Sequence, residues 1–243
     1  MRKLKIDPEY PYVYETHLHT CEASACGRSS GFDMARACKE AGYTGIIVTD
    51  HFVYGNTAID RSLPWENWVN GFCRGYEHAK QEGDRIGLSV FFGWEACYQA
   101  TEFLFNGLSK EWLLAHPEIR DCTIEEQFQL VHADGGMVVH CHPFREEYYI
   151  PEIRLFPEYT DAVETVNATH VSQYSTSHLG AEFDERAKAY AAEHHFPETA
   201  GSDIHRVDLL LGGIAFKRPL ADSRDYIRAI MNREPCKLLT GNE

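Results

Sequence analysis

Short apolar stretches alternate with amphipathic segments along nearly the whole chain, most of the apolar ones closing on His, Asp or Glu. No other feature limits the possible folds as strongly. "GIIVTDH" (45–51), "LSVFFGWEA" (88–96), "EFLFNG" (102–107), "GMVVHCHP" (136–143), "DAVETVN" (161–167) and "ETAGSDIH" (198–205) read as buried strands. Between them, residues 31–41 carry Met34, Ala35, Ala37, Cys38 and Ala41 ahead of the stop signal Gly42. Residues 65–80 set Trp65, Trp68, Val69, Phe72, Tyr76 and Ala79 at helical spacing, a packing face. Thr123 and Glu126 spell a capping box, and 181–194 and 222–232 supply two further helices. Alternation of this kind implies a parallel sheet, and the number of units suits a closed barrel. A doubly wound sheet is the other arrangement, but it would place a glycine-rich phosphate loop where this chain reads "HLHTCEASACG". The expectation is one α/β domain over 1–243, a TIM-like closed barrel.

The length of 243 residues is enough for a full core, and 44% hydrophobic with 25% charged residues is ordinary for a globular protein. No apolar run reaches transmembrane length, and "MRKLKIDPEYPY" has no apolar signal region, which predicts a cytoplasmic protein. Eight cysteines without a CxxC pair read as reduced thiols, with Cys38, Cys73 and Cys97 as small apolar filler. A net charge of −14 argues against nucleic acid or an anionic membrane as a general partner. A small anionic substrate remains compatible, because divalent cations would invert the local field. Nothing in the sequence sets the oligomeric state.

On a strand, positions i and i+2 point the same way, so His17 and His19 leave one face together. In a parallel barrel the C-terminal strand ends converge on one rim. That rim gathers His17, His19, Asp50, His51, Glu95, His140, His142, Asp203 and His205. Imidazoles and carboxylates from separate strands suit Zn²⁺, Mn²⁺ or Fe²⁺. Any one such end has a bland explanation as a loop residue or helix cap, but nearly every strand ending this way is hard to reach by chance.

In their order and spacing, "HLHT", "VTDH", "GWEA", "HCHP" and "GSDIH" resemble the motif series of the polymerase-and-histidinol-phosphatase (PHP) family. The resemblance runs from about Glu15 to His205. It implies a distorted seven-stranded β/α barrel, one to three divalent metal ions, and hydrolysis of a small phosphorylated substrate. By the same resemblance His17, His19, Glu95 and Asp203 hold the first metal, Glu95 bridges to a second that takes His142, and His51 and His205 belong to a third. Two family positions differ. Ser24-Ala25-Cys26-Gly27 stands where members carry an Asp or His, leaving Cys26 or Glu22 as substitutes. Ser109 stands where a histidine is common, leaving His140 or His116 to compensate. Glu15 precedes the paired histidines where the family has Asp, and is expected to contact one of them.

Bound cations would stabilise the charge that spreads over phosphoryl oxygens in the transition state. Glu95 and Asp203 would then serve catalysis through the metals. Arg145 would clamp a phosphate oxygen, or else pair with Glu146 or Glu147, and Arg206 and Lys217 are further candidates. Two other readings stand beside the phosphoesterase: an amidohydrolase-type C–N hydrolase, which ordinarily has a lysine bridging its metals, and a PHP-like scaffold without activity. Specificity is expected from the loops 52–64 and 143–160.

Overall fold

The computed structural model describes residues 2–241. Among these residues nine strands and seven helices follow one another: β1 (Tyr12–Leu18), α1 (Gly31–Ala41), β2 (Gly45–Val48), α2 (Trp65–Phe72), α3 (Arg74–Ile86), β3 (Ser89–Tyr98), β4 (Thr101–Asn106), α4 (Lys110–Ala115), α5 (Ile124–Ala133), β5 (Met137–His140), β6 (Ala162–Asn167), α6 (Gly180–Glu193), β7 (Glu198–Gly201), β8 (Gly212–Phe216), α7 (Ser223–Met231) and β9 (Cys236–Thr240). The strands form one sheet in the order β7-β6-β5-β4-β3-β2-β1-β8-β9. It curls into a nearly closed barrel. At the rim Leu18 bridges Ile204 in parallel, with the His19 and Ile204 amides donating to the Ile204 and His17 carbonyls at 2.9 and 3.1 Å.

The barrel is not wholly parallel. β1, β2 and β3 run together, as do β5, β6 and β7, but β4 is antiparallel to both neighbours and β8 is antiparallel to β1 and β9. β4 is reversed by a two-residue turn in which Gln99 and Ala100 both have positive φ, 48° and 67°. This is the backbone a tight hairpin needs, and it is ordinarily signalled by Asn-Gly or Asp-Gly. Here the sequence gives no such signal, so "EFLFNG" reads as one more parallel strand. The predicted helix over 65–80 is two helices, broken at Cys73. The capping box at Thr123 and Glu126 is present in full.

Tyr14, Ile47, Leu104, Val139 and Ile214 fill the barrel interior, and Tyr226, Ala229 and Ile230 of α7 pack against them from below. The aromatic face of α2 packs outside the sheet, with the Trp65 and Trp68 rings 5.5 Å apart and Phe52 edge-on to Trp68. An apolar floor therefore supports the polar residues at the opposite rim.

Candidate metal centre

His17 and His19 lie at the end of β1, and both rings are buried. Their outer nitrogens are tied. His17 Nδ1 lies 2.9 Å from Glu164 Oε1, and His19 Nδ1 lies 3.1 Å from Ser24 Oγ. The Ser24 hydroxyl itself donates to Asp50 Oδ1 at 2.7 Å, so it accepts from the His19 ring. Both imidazoles thus carry their proton on Nδ1 and turn the Nε2 lone pair inward, as metal-binding histidines do. Gly201 makes room for this: a Cβ there would stand 2.5 Å from His17 Cβ and 2.6 Å from Glu164 Oε1.

The inward atoms meet Glu95 and Asp203. His17 Nε2 is 3.2 Å from Glu95 Oε1 and 3.5 Å from Asp203 Oδ1. His19 Nε2 is 3.7 Å from Glu95 Oε2 and 3.2 Å from Asp203 Oδ1. Donors held ~2.0–2.1 Å from a tetrahedral ion stand roughly 3.3 Å from one another. Ligand atoms of His17, His19 and Asp203 lie within 4.8 Å of one another, a grouping that suits a divalent cation, and Glu95 adjoins both imidazoles. His17 Nε2, His19 Nε2, His51 Nδ1 and Glu95 Oε2 are buried without a hydrogen-bond partner, and such atoms are costly unless something binds them. The donor set suits a divalent ion.

Around this core, ligand atoms of His17, Glu95, Cys141 and His142 lie within 4.8 Å of one another, as do those of His19, His51 and His205, and those of His51, Glu95 and Glu102. Glu95 reaches two ways, Oε1 to His142 Nε2 at 3.2 Å and Oε2 to His51 Nδ1 at 2.6 Å. His142 and Asp203 both sit in the left-handed backbone region, with φ of 31° and 54°. Strain of this kind is tolerated where a site needs a side chain aimed off the regular path.

The charges respond to this crowding. Burial alone would raise the Glu95 carboxyl, but His51, His142 and His17 outweigh it and hold it well below the usual range. Asp203 is likewise pulled well down against burial by His17 and Arg145. Burial, His205 and His51 together push His19 well down, whereas Glu164 and Asp203 outweigh burial at His17 and raise it. Cys26 would rise through burial, but hydrogen bonds with His205 and His51 bring its thiol down to about 6.

No family model matches the sequence, and no curated protein does. Solved structures do match the fold. A two-domain protein from Bacteroides vulgatus containing a predicted PHP-like metal-dependent phosphoesterase aligns over 98% of this chain and 69% of its own, with 14% identity and a TM-score of 0.66. PsfC from Pseudomonas syringae covers 94% of this chain and 89% of its own, with 18% identity and a TM-score of 0.59. An amidohydrolase from Chromobacterium violaceum, with bound sulfate and no metal, covers 79% and 87%, with 12% identity and a TM-score of 0.53. This chain has the PHP-like fold.

Within that fold the remaining expected residues separate. Cys26 lies against His51 and His205 and lines a cavity of about 370 Å³ beside the centre. Glu22 does not join it: its carboxylate accepts from the Gly31 amide at 3.1 Å and sits 2.8 Å from His78, tying down the start of α1. His140 also points elsewhere, its ring 4.5 Å from Phe103 and 6.2 Å from Tyr190, with burial driving its pKa to about 3. β5 ends at His140, so the i, i+2 rule no longer relates it to His142. Cys141 faces the centre and the left-handed turn at His142 swings that ring in. Ser109 caps α4, and His116 is occupied with Glu118. Asp50 accepts from the Thr20 amide and both hydroxyls of Thr20 and Ser24, bracing the turn after β1. Glu15 accepts from the His17 and Ser202 amides at 3.0 and 2.9 Å, joining β1 to the segment after β7 by backbone rather than by an imidazole.

Arg145 is not paired with Glu146 or Glu147. Its Nη2 donates to Asp203 Oδ2 at 2.6 Å and its Nε donates to His170 Nε2 at 3.2 Å. His170 Nδ1 is in turn 2.7 Å from Asp184 on α6. This buried chain leaves Asp203 Oδ1 for the centre and presents Arg145 to the cavity. Arg206 lines the same cavity, 2.9 Å from Asp208, while Lys217 pairs with Glu9 beside the start of β1, far from the rim. Tyr148 and Tyr149 of the 143–160 loop line the cavity, but 52–64 contributes none of its described lining; 169–177 and 203–210 do instead. Glu102, Glu164, His170 and Asp184 carry no motif in the sequence; their only signal is position in the folded strand, turn or helix.

Proposed function

We propose that the protein is a metal-dependent phosphoesterase that cleaves a small phosphorylated metabolite with a metal-activated water. The observation that carries the proposal is the convergence of His17, His19, Glu95 and Asp203, with unpartnered buried donor atoms, beside a cavity that Arg145 enters. His17, His19, Glu95 and Asp203 would hold one divalent ion, His142 with Glu95 would serve a second, and His205 would serve a third. Zn²⁺, Mn²⁺ and Fe²⁺ all suit such donors. Bound cations supply charge stabilisation for phosphoryl oxygens and a water of lowered pKa.

The chain's own residues do the rest. Glu164 and Ser24 fix the two imidazole tautomers, so the centre is organised before substrate arrives. Asp203 is kept to one inward oxygen because Arg145 occupies the other. The Arg145 guanidinium, anchored through Nε by His170, offers its remaining edge to a phosphate oxygen. The tyrosines at the cavity mouth flank whatever the phosphate is attached to. The fold is shared with an amidohydrolase, but here Glu95 would take the bridging place, and no lysine lines the described cavity. All eight cysteines are free thiols, which supports a reducing, cytoplasmic setting; no helix among the described residues is long and apolar enough to cross a membrane. A side-by-side assay of the metal-loaded protein on an aryl phosphate and an aryl amide tests the reading. Phosphate release alone is expected; turnover of the amide alone, or of neither, would overturn it.

A further inference from the structure

We infer that Glu102 is a metal ligand, and that with Glu95 and His51 it closes a second divalent-cation centre, which His142 adjoins from the other oxygen of Glu95. The inference rests on the proposed function only in taking the site to hold cations at all. It follows from the direction of β4. In a parallel barrel the start of that strand would lie at the floor, and the residue after it would reach the rim. The hairpin at Gln99 and Ala100 reverses this and lifts Thr101 and Glu102 to the rim. The pairing then decides which way Glu102 faces. Glu95 opposes Leu104 and Cys97 opposes Glu102. Directly opposed residues on antiparallel strands share a face, and so do residues two apart, so Glu95 and Glu102 project to the same side as diagonal neighbours.

The atoms agree with the pleat. Glu102 Oε2 is 3.7 Å from His142 Nε2, which is 3.2 Å from Glu95 Oε1. Ligand atoms of His51, Glu95 and Glu102 lie within 4.8 Å of one another. His51 Nδ1 and Glu95 Oε2 face each other at 2.6 Å, and neither makes a hydrogen bond. Two carboxylates with side chains only 1% and 12% exposed share this space, and neighbouring Arg145 is committed to Asp203. Burying like charges together is unfavourable without a counter-ion, and a divalent cation between them is the direct remedy. Where an imidazole was expected on this strand, the chain supplies a harder oxygen donor. The second centre should therefore favour Mn²⁺ or Fe²⁺ over Zn²⁺ relative to the first.

The test is Mn²⁺ binding to the chelator-treated full chain, read by elemental analysis after desalting and by the Mn²⁺ resonance signal, for wild type, Glu102→Gln and Glu102→Ala. Wild type should hold at least two ions, and both variants should lose one while keeping the other. Circular dichroism and the melting temperature of the metal-free variants check folding. Neither should fall below wild type, because each substitution removes a buried charge from beside Glu95. Glu102→His should regain the lost ion with Zn²⁺ now preferred. Variants with wild-type stoichiometry, or a wild type holding one ion that Glu102→Ala retains, would overturn the second centre while leaving the first. A wild type that binds no cation would instead overturn the proposed function.

Discussion

Removing the Arg145 side chain should separate three effects that the geometry combines. Arg145→Ala deletes the guanidinium that lies 2.6 Å from Asp203 Oδ2 and 3.2 Å from His170 Nε2. Asp203 is buried, and stripping one partner from a buried ion pair costs ~3–5 kcal/mol. For a chain of this size each kcal/mol moves Tm by about 2–4 °C, so the metal-free variant should melt roughly 6–20 °C below wild type. With Zn²⁺ or Mn²⁺ bound, Asp203 keeps a cationic partner, and the gap should shrink markedly. Metal stoichiometry should be unchanged, because Arg145 is not among the donors. Turnover should fall further than stability explains: a charge-assisted hydrogen bond to phosphate contributes ~1.5–3 kcal/mol, or roughly ten- to a hundredfold in kcat/KM. Competitive inhibition by inorganic phosphate should weaken in step. The assays are calorimetry of both forms, elemental analysis and steady-state phosphate release. Wild-type kinetics with wild-type phosphate inhibition would refute the role given to Arg145, and Arg206 would be the next candidate.

Other substitutions probe the surroundings. His170→Ala keeps the Arg145 charge but frees its Nε; losing one ordinary hydrogen bond, ~0.5–1.5 kcal/mol, predicts about a two- to fifteenfold drop in kcat/KM with metal content intact, and loss of metal would show a different role. Cys26→Ala should lower metal stoichiometry, and a thiol reagent should modify Cys26 faster in metal-free than in metal-loaded protein; equal rates and equal stoichiometry would remove it from the ligand set. Glu22→Gln should leave metal content alone, since that carboxylate is engaged by α1 and His78. Asp225 under the barrel is bound by Arg218, which lowers its carboxyl from 3.8 to about 2. A depressed carboxylate contributes stability above its unfolded pKa and loses it as pH falls through the folded one. The Tm gap between wild type and Asp225→Asn should accordingly be constant down to about pH 4 and close toward pH 2; a gap that grows on acidification would contradict the pairing.

Much of this centre was legible because strand alternation is a strong local rule. His17 and His19 leave β1 together, and Glu95, His142, Asp203 and His205 lie where conserved direction of the chain toward one rim would bring them. What stayed hidden depends on turns and on tertiary partners. The β4 reversal is made by Gln99 and Ala100 in positive φ, a conformation their side chains do not advertise, so the sequence points to Ser109 at the wrong end of the strand while Glu102 stands at the rim. His140 and His142 read as one face because the left-handed turn at His142 is not visible in "HCHP". Glu164 and the His170–Asp184 pair come from β6, the loop after it and α6, and only the folded chain sets them against His17 and Arg145. Glu22 has a suitable chemistry and position in sequence, yet the start of α1 claims it.

The most direct test of the central claim is phosphate release from an aryl phosphate by chelator-treated protein as divalent metal is added back, run for wild type and for the folded Glu95→Gln variant. Glu95 is the one residue whose two oxygens reach both sides of the centre. The account predicts no release without metal, a rise in rate that saturates as Mn²⁺ or Zn²⁺ is restored to wild type, and no recovery in Glu95→Gln at any metal concentration. Release by the metal-free enzyme, or full recovery in Glu95→Gln, would contradict it.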